Sequence, residues 1–307
     1  MRVLFVGAAL WIASIFPSMA QESAPIGFST KLTCEGAAAR VGFGSDALLL
    51  SLDGETHELG AVASASGARY QSESGEASVW FKGEHARFTY QDLVFENCTV
   101  EKSDSDWVAR GNEPGWMITA NAATFDASLS YGEVSLSALR VEAQVSDGAL
   151  VYDLADAGIR LAVRPDLCRD DMSGRPYPET VEMTFDGQTY RGCSGETLSL
   201  LTGSTWHIQS LSGADVVDGS VLDIAITSFG RLSGAAGCNR YTGEFELTGE
   251  GMNIGPLAST RMMCSEALMV QETRFLTLLS SVYRFDFGDA GELILYGAGE
   301  ESITAVR

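Results

Sequence analysis

Cations are scarce in this sequence. Its 307 residues hold 20 Lys and Arg against 41 Asp and Glu, for a formal charge of −21. That balance excludes general nucleic-acid binding, which needs a basic face to displace counterions. It equally disfavours docking on anionic lipid. Histidine is scarcer still: His57, His85 and His207 are all there is, and none lies near another. A His-rich metal centre or a His-dependent triad has little to build on, and all three sit in strand-like contexts. No HExxH, GxSxG or Gly-rich phosphate loop is present, and the stretch Gly234 to Gly237 lacks the strand–helix setting of a dinucleotide fingerprint. No CxxC occurs, so neither a zinc ribbon nor a thioredoxin-type redox site is supported. Beyond the first residues no apolar run is long enough to span a membrane.

What is present begins with a leader. Arg2 is a positive n-region, Val3 to Phe16 is almost wholly apolar, Pro17 breaks the run, and Ser18-Met19-Ala20 offers a small-x-small cleavage site. The expected product is exported, periplasmic or secreted, without a lipid anchor because no Cys follows the site. It stands at −22 once Arg2 is removed. A mean hydropathy of +0.06 with 45% hydrophobic residues is globular composition.

Six cysteines, Cys34, Cys98, Cys168, Cys193, Cys238 and Cys264, suit an oxidising compartment. About 15 pairings are open to six cysteines in principle. Composition and turn signals divide the chain into a leader (1–20) and three modules, 21–102, 103–197 and 198–307, with polar joints at Ser103 to Asp106 and Cys193 to Thr197. Each module holds two cysteines, and each is acidic, at −6, −9 and −7. Sequential pairing, 34–98, 168–193 and 238–264, would staple each one. The chain-entropy account gives about 4 kcal/mol for the first loop and about 3.5 for the others.

The secondary-structure reading is mostly strand. Ala47 to Leu52 precedes an Asp53-Gly54 turn. Ala77 to Phe81 and His85 to Tyr90 alternate across Lys82-Gly83. Val181 to Phe185, Leu222 to Ile226 and Glu292 to Tyr296 follow. One helix is expected over about Ser265 to Ser281, from Leu268, Phe275, Leu276 and Leu279 at helical spacing. The fold class is therefore mainly β: a small antiparallel barrel followed by two β-rich domains, the last α+β with one helix.

Candidate chemistry is thin, and the expectation is a non-enzyme without cofactor or metal. Asp170 and Asp171 beside Cys168 lack EF-hand spacing and read as a solvated turn. Glu113, in Gly111-Asn112-Glu113-Pro114, reads as a turn carboxylate. The sequon Asn97-Cys98-Thr99 reads as chance. The lysines say more. After the leader only Lys31, Lys82 and Lys102 occur, all in the first module. Lys82 stands at a hairpin turn before Gly83, where a lone ammonium can enter a carboxylate-lined cleft or simply serve solubility.

Three resemblances sharpen this. Leu32-Thr33-Cys34-Glu35-Gly36, the stretch Ser64 to Phe88 and Asn97-Cys98 resemble the membrane-bound or periplasmic inhibitors of c-type lysozyme, with a longer stretch between Tyr70 and Trp80 than that pattern has. The resemblance implies a small barrel closed by one disulfide. Its loop Ser66 and loop Lys82 would bond the two catalytic carboxylates of a c-type lysozyme, with Arg69 and Tyr70 supporting the contact. The second module resembles an uncharacterised exported family. Its marks are Arg110 to Trp116, with Gly115 where an aromatic is usual, then Cys168 to Gly174 and Arg191-Gly192-Cys193. Trp107 and Trp116 would pack its core or line a groove. The third is similar to the META domain of HslJ-like lipoproteins, through Gly230 to Gly234, Gly237 to Gly243 and Leu257 to Cys264. That implies a sheet wrapping a helix, with Asn239 and Arg240 fixing the turn after Cys238, and Cys238 and Cys264 paired or kept as thiols. Inhibition of c-type lysozyme is the leading function. An envelope-stress or adaptor protein without inhibitory activity is the alternative, and a small-ligand or peptidoglycan-fragment binder the third.

Overall fold

The computed structural model describes residues 25–34, 37–52, 54–102, 106–249 and 251–307. The expected leader with its cleavage site, Glu35, Gly36 and Asp53 of the quoted motifs, and most of the polar joint after Lys102 lie outside the described residues. Strands make up 57% of the described residues and helices 10%, which places the protein in the mainly β class.

The alternation read in the first module closes into a barrel. Strands β1 (Thr30–Cys34), β2 (Ala37–Phe43), β3 (Ala47–Leu52), β4 (Glu55–Val62), β5 (Ala68–Gln71), β6 (Ala77–Lys82), β7 (His85–Tyr90) and β8 (Leu93–Lys102) pair in sequence order, and β8 returns to β1. Period-2 alternation sends Leu32, Val41, Leu48, Leu50, Leu59, Val79 and Phe88 inward. Strand β3 does not alternate, and its surroundings explain why. Leu48, Leu50 and Leu52 fill the barrel, whereas Leu49 faces outward into a second core with Ile26, Phe28 and Leu150. A strand covered on both faces reads as a continuous apolar run.

That second core lies under a nine-stranded antiparallel sheet. Its order is Val134–Leu139, Thr124–Leu129, Gly115–Ala120, Trp107–Asn112, Gln188–Ser194, Glu179–Phe185, Ile159–Arg164, Ala149–Leu154 and Gln144–Ser146. Trp107 and Trp116 are both buried in this core. Glu113 and Pro114 form the turn between two of its strands through a cis peptide bond. Asp170 accepts hydrogen bonds from Asn112 and from the Met172 and Ser173 amides, which makes it the organiser of a turn.

The third sheet runs through Met252–Ile254, Arg240–Leu247, Arg231–Ala235, Asp223–Ile226, Thr205–Leu211, Ser302–Val306, Leu293–Tyr296 and Arg284–Phe287. It curls around one helix, α1 (Glu266–Ser280), whose Phe275, Leu278 and Leu279 pack on Trp206, Tyr241 and Leu293. The Asn239 amide donates to the Glu272 carboxylate at 3.0 Å, and its carbonyl accepts from Met262 N at 2.7 Å. Asn239 thus ties the turn after Cys238 to the helix, while Arg240 is exposed on its strand. The disulfides are Cys34–Cys98, Cys168–Cys193 and Cys238–Cys264, one in each sheet unit, so the third pair is not held as thiols.

The units are packed together by specific contacts. Gly44 bridges Ala143. Gly42 of β2 lies so close to Leu150 that a Cβ there would meet its Cδ1 at 2.5 Å. Arg40 donates to the Pro178 and Pro165 carbonyls at 2.6 and 3.1 Å. Arg169 lies on a small two-stranded sheet of Cys168–Arg169 and Pro176–Tyr177, and ties it to the third sheet through Asp286 at 2.9 Å and the Phe287 carbonyl at 2.8 Å.

Candidate functional site

The turns of an up-and-down barrel alternate between its two ends. The β2–β3, β4–β5 and β6–β7 connections share one end, so Ser66 and Lys82 are brought there by topology although sixteen residues separate them in sequence. The β2–β3 loop docks on the second sheet at Ala143. The other two loops are exposed.

Strand alternation then sets the faces. In β6, Val79 points inward, while Trp80 and Lys82 lie on the outer face. Arg69 pairs with Trp80 across β5, and Arg87 pairs with it across β7, so both arginines share that outer face. Arg87 forms an ion pair with Glu96 at 3.2 Å. His85 stands opposite Lys82.

Trp80 is the residue that joins the two loops. Its indole Nε1 donates to the Ser66 carbonyl at 2.8 Å. The Lys82 ammonium lies 5.7 Å from the centre of the same ring. The Ser64 hydroxyl also donates to the Ser66 carbonyl, at 2.7 Å. The loop backbone is held by these two bonds and leaves the Ser66 hydroxyl without a hydrogen bond among the described residues. Lys82 likewise has no carboxylate in ion-pair range among them. Gly67 takes φ +69°, and the Phe81 carbonyl passes where its Cβ would stand, so the loop turns tightly against β6.

Two expectations meet the geometry differently. Arg69 joins the outer face beside Trp80. Tyr70 does not. It is half-buried on the inner side, with its ring edge-on to Phe43 and Phe81, both 6.3 Å away. The long stretch between Tyr70 and Trp80 is a turn at the far end of the barrel, closed by Ser72 N to the Ala77 carbonyl at 2.9 Å. Extra residues there leave the pairing of Ala68 with Phe81 intact, so the Ser66 loop keeps its place beside Lys82. Trp80 belongs to the motif Trp80-Phe81-Lys82-Gly83, but the sequence reading assigns it no role in the site. Its spacing of two from Lys82 was the available signal, since i and i+2 share a strand face.

No cluster of three or more His, Cys, Asp or Glu able to hold a metal occurs among the described residues. No described helix is long and apolar enough to cross a membrane.

Residues 33–94 match the family model of the membrane-bound lysozyme-inhibitor of c-type lysozyme, and residues 199–307 match that of the META domain. The chain carries both, with the nine-stranded sheet between them. No curated protein matches the chain. Among solved structures, the NMR structure of a protein from Burkholderia xenovorans is 24% identical, covers 36% of this chain and 85% of its own, and has a TM-score of 0.31. The WD40 β-propeller domain of Doa1 is 10% identical, covers 93% and 96%, and has a TM-score of 0.14. At those TM-scores neither adds to the fold described above.

Proposed function

We propose that the protein is an exported, non-enzymatic inhibitor of c-type lysozyme that acts through its first domain. In this reading the chain divides into a leader (1–20), an inhibitor barrel (21–102), a middle β-rich domain (103–197) and a META domain (198–307). The Lys82 ammonium pairs with the ionised carboxylate of the lysozyme cleft. The Ser66 hydroxyl bonds the protonated acid beside it. Arg69 and Tyr70 support the contact, Arg69 from the outer face and Tyr70 by bracing the loop base from within. The observation that carries this is the shared brace: one tryptophan touches both exposed loops at the same barrel end, and among the described residues no carboxylate holds the ammonium. The family match adds the partner class. A net charge of −21 would steer the protein toward a basic enzyme.

The test is a titration against a c-type lysozyme, following lysis of bacterial cell walls. Lys82→Ala should weaken inhibition by roughly 2–5 kcal/mol, because it strands a desolvated carboxylate. Ser66→Ala should cost about 1–2 kcal/mol, near tenfold. Absence of inhibition by disulfide-intact protein would leave the envelope-adaptor reading in its place.

A further inference from the structure

The chain has twice as many acids as cations, yet one cavity reverses that ratio. Where the three sheets meet, a cavity of about 710 Å³ is lined by Lys31, Arg40, Lys102, Arg110, Arg140 and Arg175, six of the twenty cationic side chains. Among the described residues, Asp106, Glu179 and Glu196 are the acids on its wall. Glu179 keeps its charge, which acts on Arg40, but its oxygens are filled by neutral donors. It is buried, and its carboxylate accepts from Phe28 N at 2.7 Å, Trp107 Nε1 at 3.0 Å and Ser194 Oγ at 2.5 Å.

The partners of the cations matter as much as their number. Arg40 is held by two backbone carbonyls. Lys31 donates to the Thr202 carbonyl at 2.5 Å and its hydroxyl at 3.2 Å. Arg175 donates to Thr197 Oγ1 at 3.2 Å and the Thr248 carbonyl at 2.6 Å. Arg110 lies 5.8 Å from the centre of the Tyr177 ring, and Arg175 lies 5.7 Å from the same centre. These are neutral acceptors. They place the charges without cancelling them, and none of the four cations has a carboxylate in ion-pair range among the described residues. Burial, with the Arg307 charge next, pushes the Lys31 ammonium down to about 8, and burial likewise lowers Arg40.

Arrayed guanidinium groups with spare N–H donors match carboxylate and phosphate oxygens, and they gain most where solvent screening is weak. The volume lies within the range of small-molecule sites. We propose that this cavity binds a small polyvalent oxyanion, carboxylate or phosphate, between Arg40, Arg110 and Arg175, with Tyr177 as its flat wall. The site is separate from the barrel loops and stands whether or not the protein inhibits lysozyme.

The test is isothermal titration of the full purified chain at low ionic strength with pyrophosphate in one arm and citrate in the other. At least one should bind at one site per chain. The arm that binds more tightly identifies the oxyanion. Arg110→Gln with Arg175→Gln should weaken it at least tenfold, and Lys82→Ala should leave it unchanged. Should the double variant fold poorly by circular dichroism, Arg110→Gln alone suffices, since Arg110 is exposed; at least a threefold loss is expected. The proposal is overturned if neither anion binds, if binding survives the arginine substitutions, or if Lys82→Ala abolishes it.

Discussion

Gly67→Ala tests the architecture of the candidate site without touching either residue proposed to meet lysozyme. Gly67 sits at φ +69°, a conformation that costs an L-residue about 1 kcal/mol or more. The added Cβ would also collide with the Phe81 carbonyl oxygen and stand 3.1 Å from Trp80 Nε1. The obstacle is backbone of a paired strand, so the loop has to move instead. That movement breaks the bond from Trp80 to the Ser66 carbonyl, worth about 1 kcal/mol. The expected loss of stability is about 2–3 kcal/mol in urea unfolding, with the barrel still folded. Inhibition should fall at least tenfold, because Ser66 leaves its place beside Lys82. The matched control is Gly54→Ala. Gly54 has φ +82° with no atom within 4 Å of its virtual Cβ, and it lies at the other barrel end. It should cost about 1 kcal/mol and leave inhibition unchanged. A Gly67→Ala protein that inhibits as well as its parent would refute the argument, as would two variants that behave alike.

Other perturbations probe the rest of the molecule. Lys31 titrates near 8 in the folded protein and near 10.5 unfolded, so between those values the unfolded chain binds more protons and stability rises with pH. Urea unfolding at pH 7.5 and 9.5 should show that rise, roughly 2 kcal/mol of the Lys31 contribution, and Lys31→Met should lack it. Glu179→Gln turns one carboxylate oxygen into a donor facing the donors of Phe28, Trp107 and Ser194, and should lower stability by roughly 2–4 kcal/mol with a fall in Tm. Replacing Cys34 and Cys98 together by Ala should cost about 4 kcal/mol and expose the barrel to proteolysis before the other two units. Equal protease sensitivity with and without that disulfide would contradict this.

Much of this was written locally. Period-2 alternation in Ala77 to Phe81 and His85 to Tyr90 foretold β6, which runs one residue further to Lys82, and β7, because a strand with one wet face has no other way to sort its side chains. The apolar spacing around Phe275 foretold α1 to within a residue at each end. Two cysteines per module, close enough along the chain to meet, foretold the three disulfides. Ser66 and Lys82 could be named from motif alone. Tertiary structure decided the rest, and for a common reason: these features depend on residues far apart in sequence. The run Ala47 to Leu52 shows no alternation until a second sheet is known to cover Leu49. Trp80 acquires its role only when barrel closure puts the Ser66 carbonyl under its indole. The cationic cavity gathers Lys31, Arg110 and Arg175 from separate segments, and no count of charge by module reveals it, since every module taken alone is acidic. Periodicity, turns and cysteine spacing act over a few residues and survive in the sequence as pattern. Convergence of distant side chains is set by how the sheets close and pack, and leaves no pattern to read.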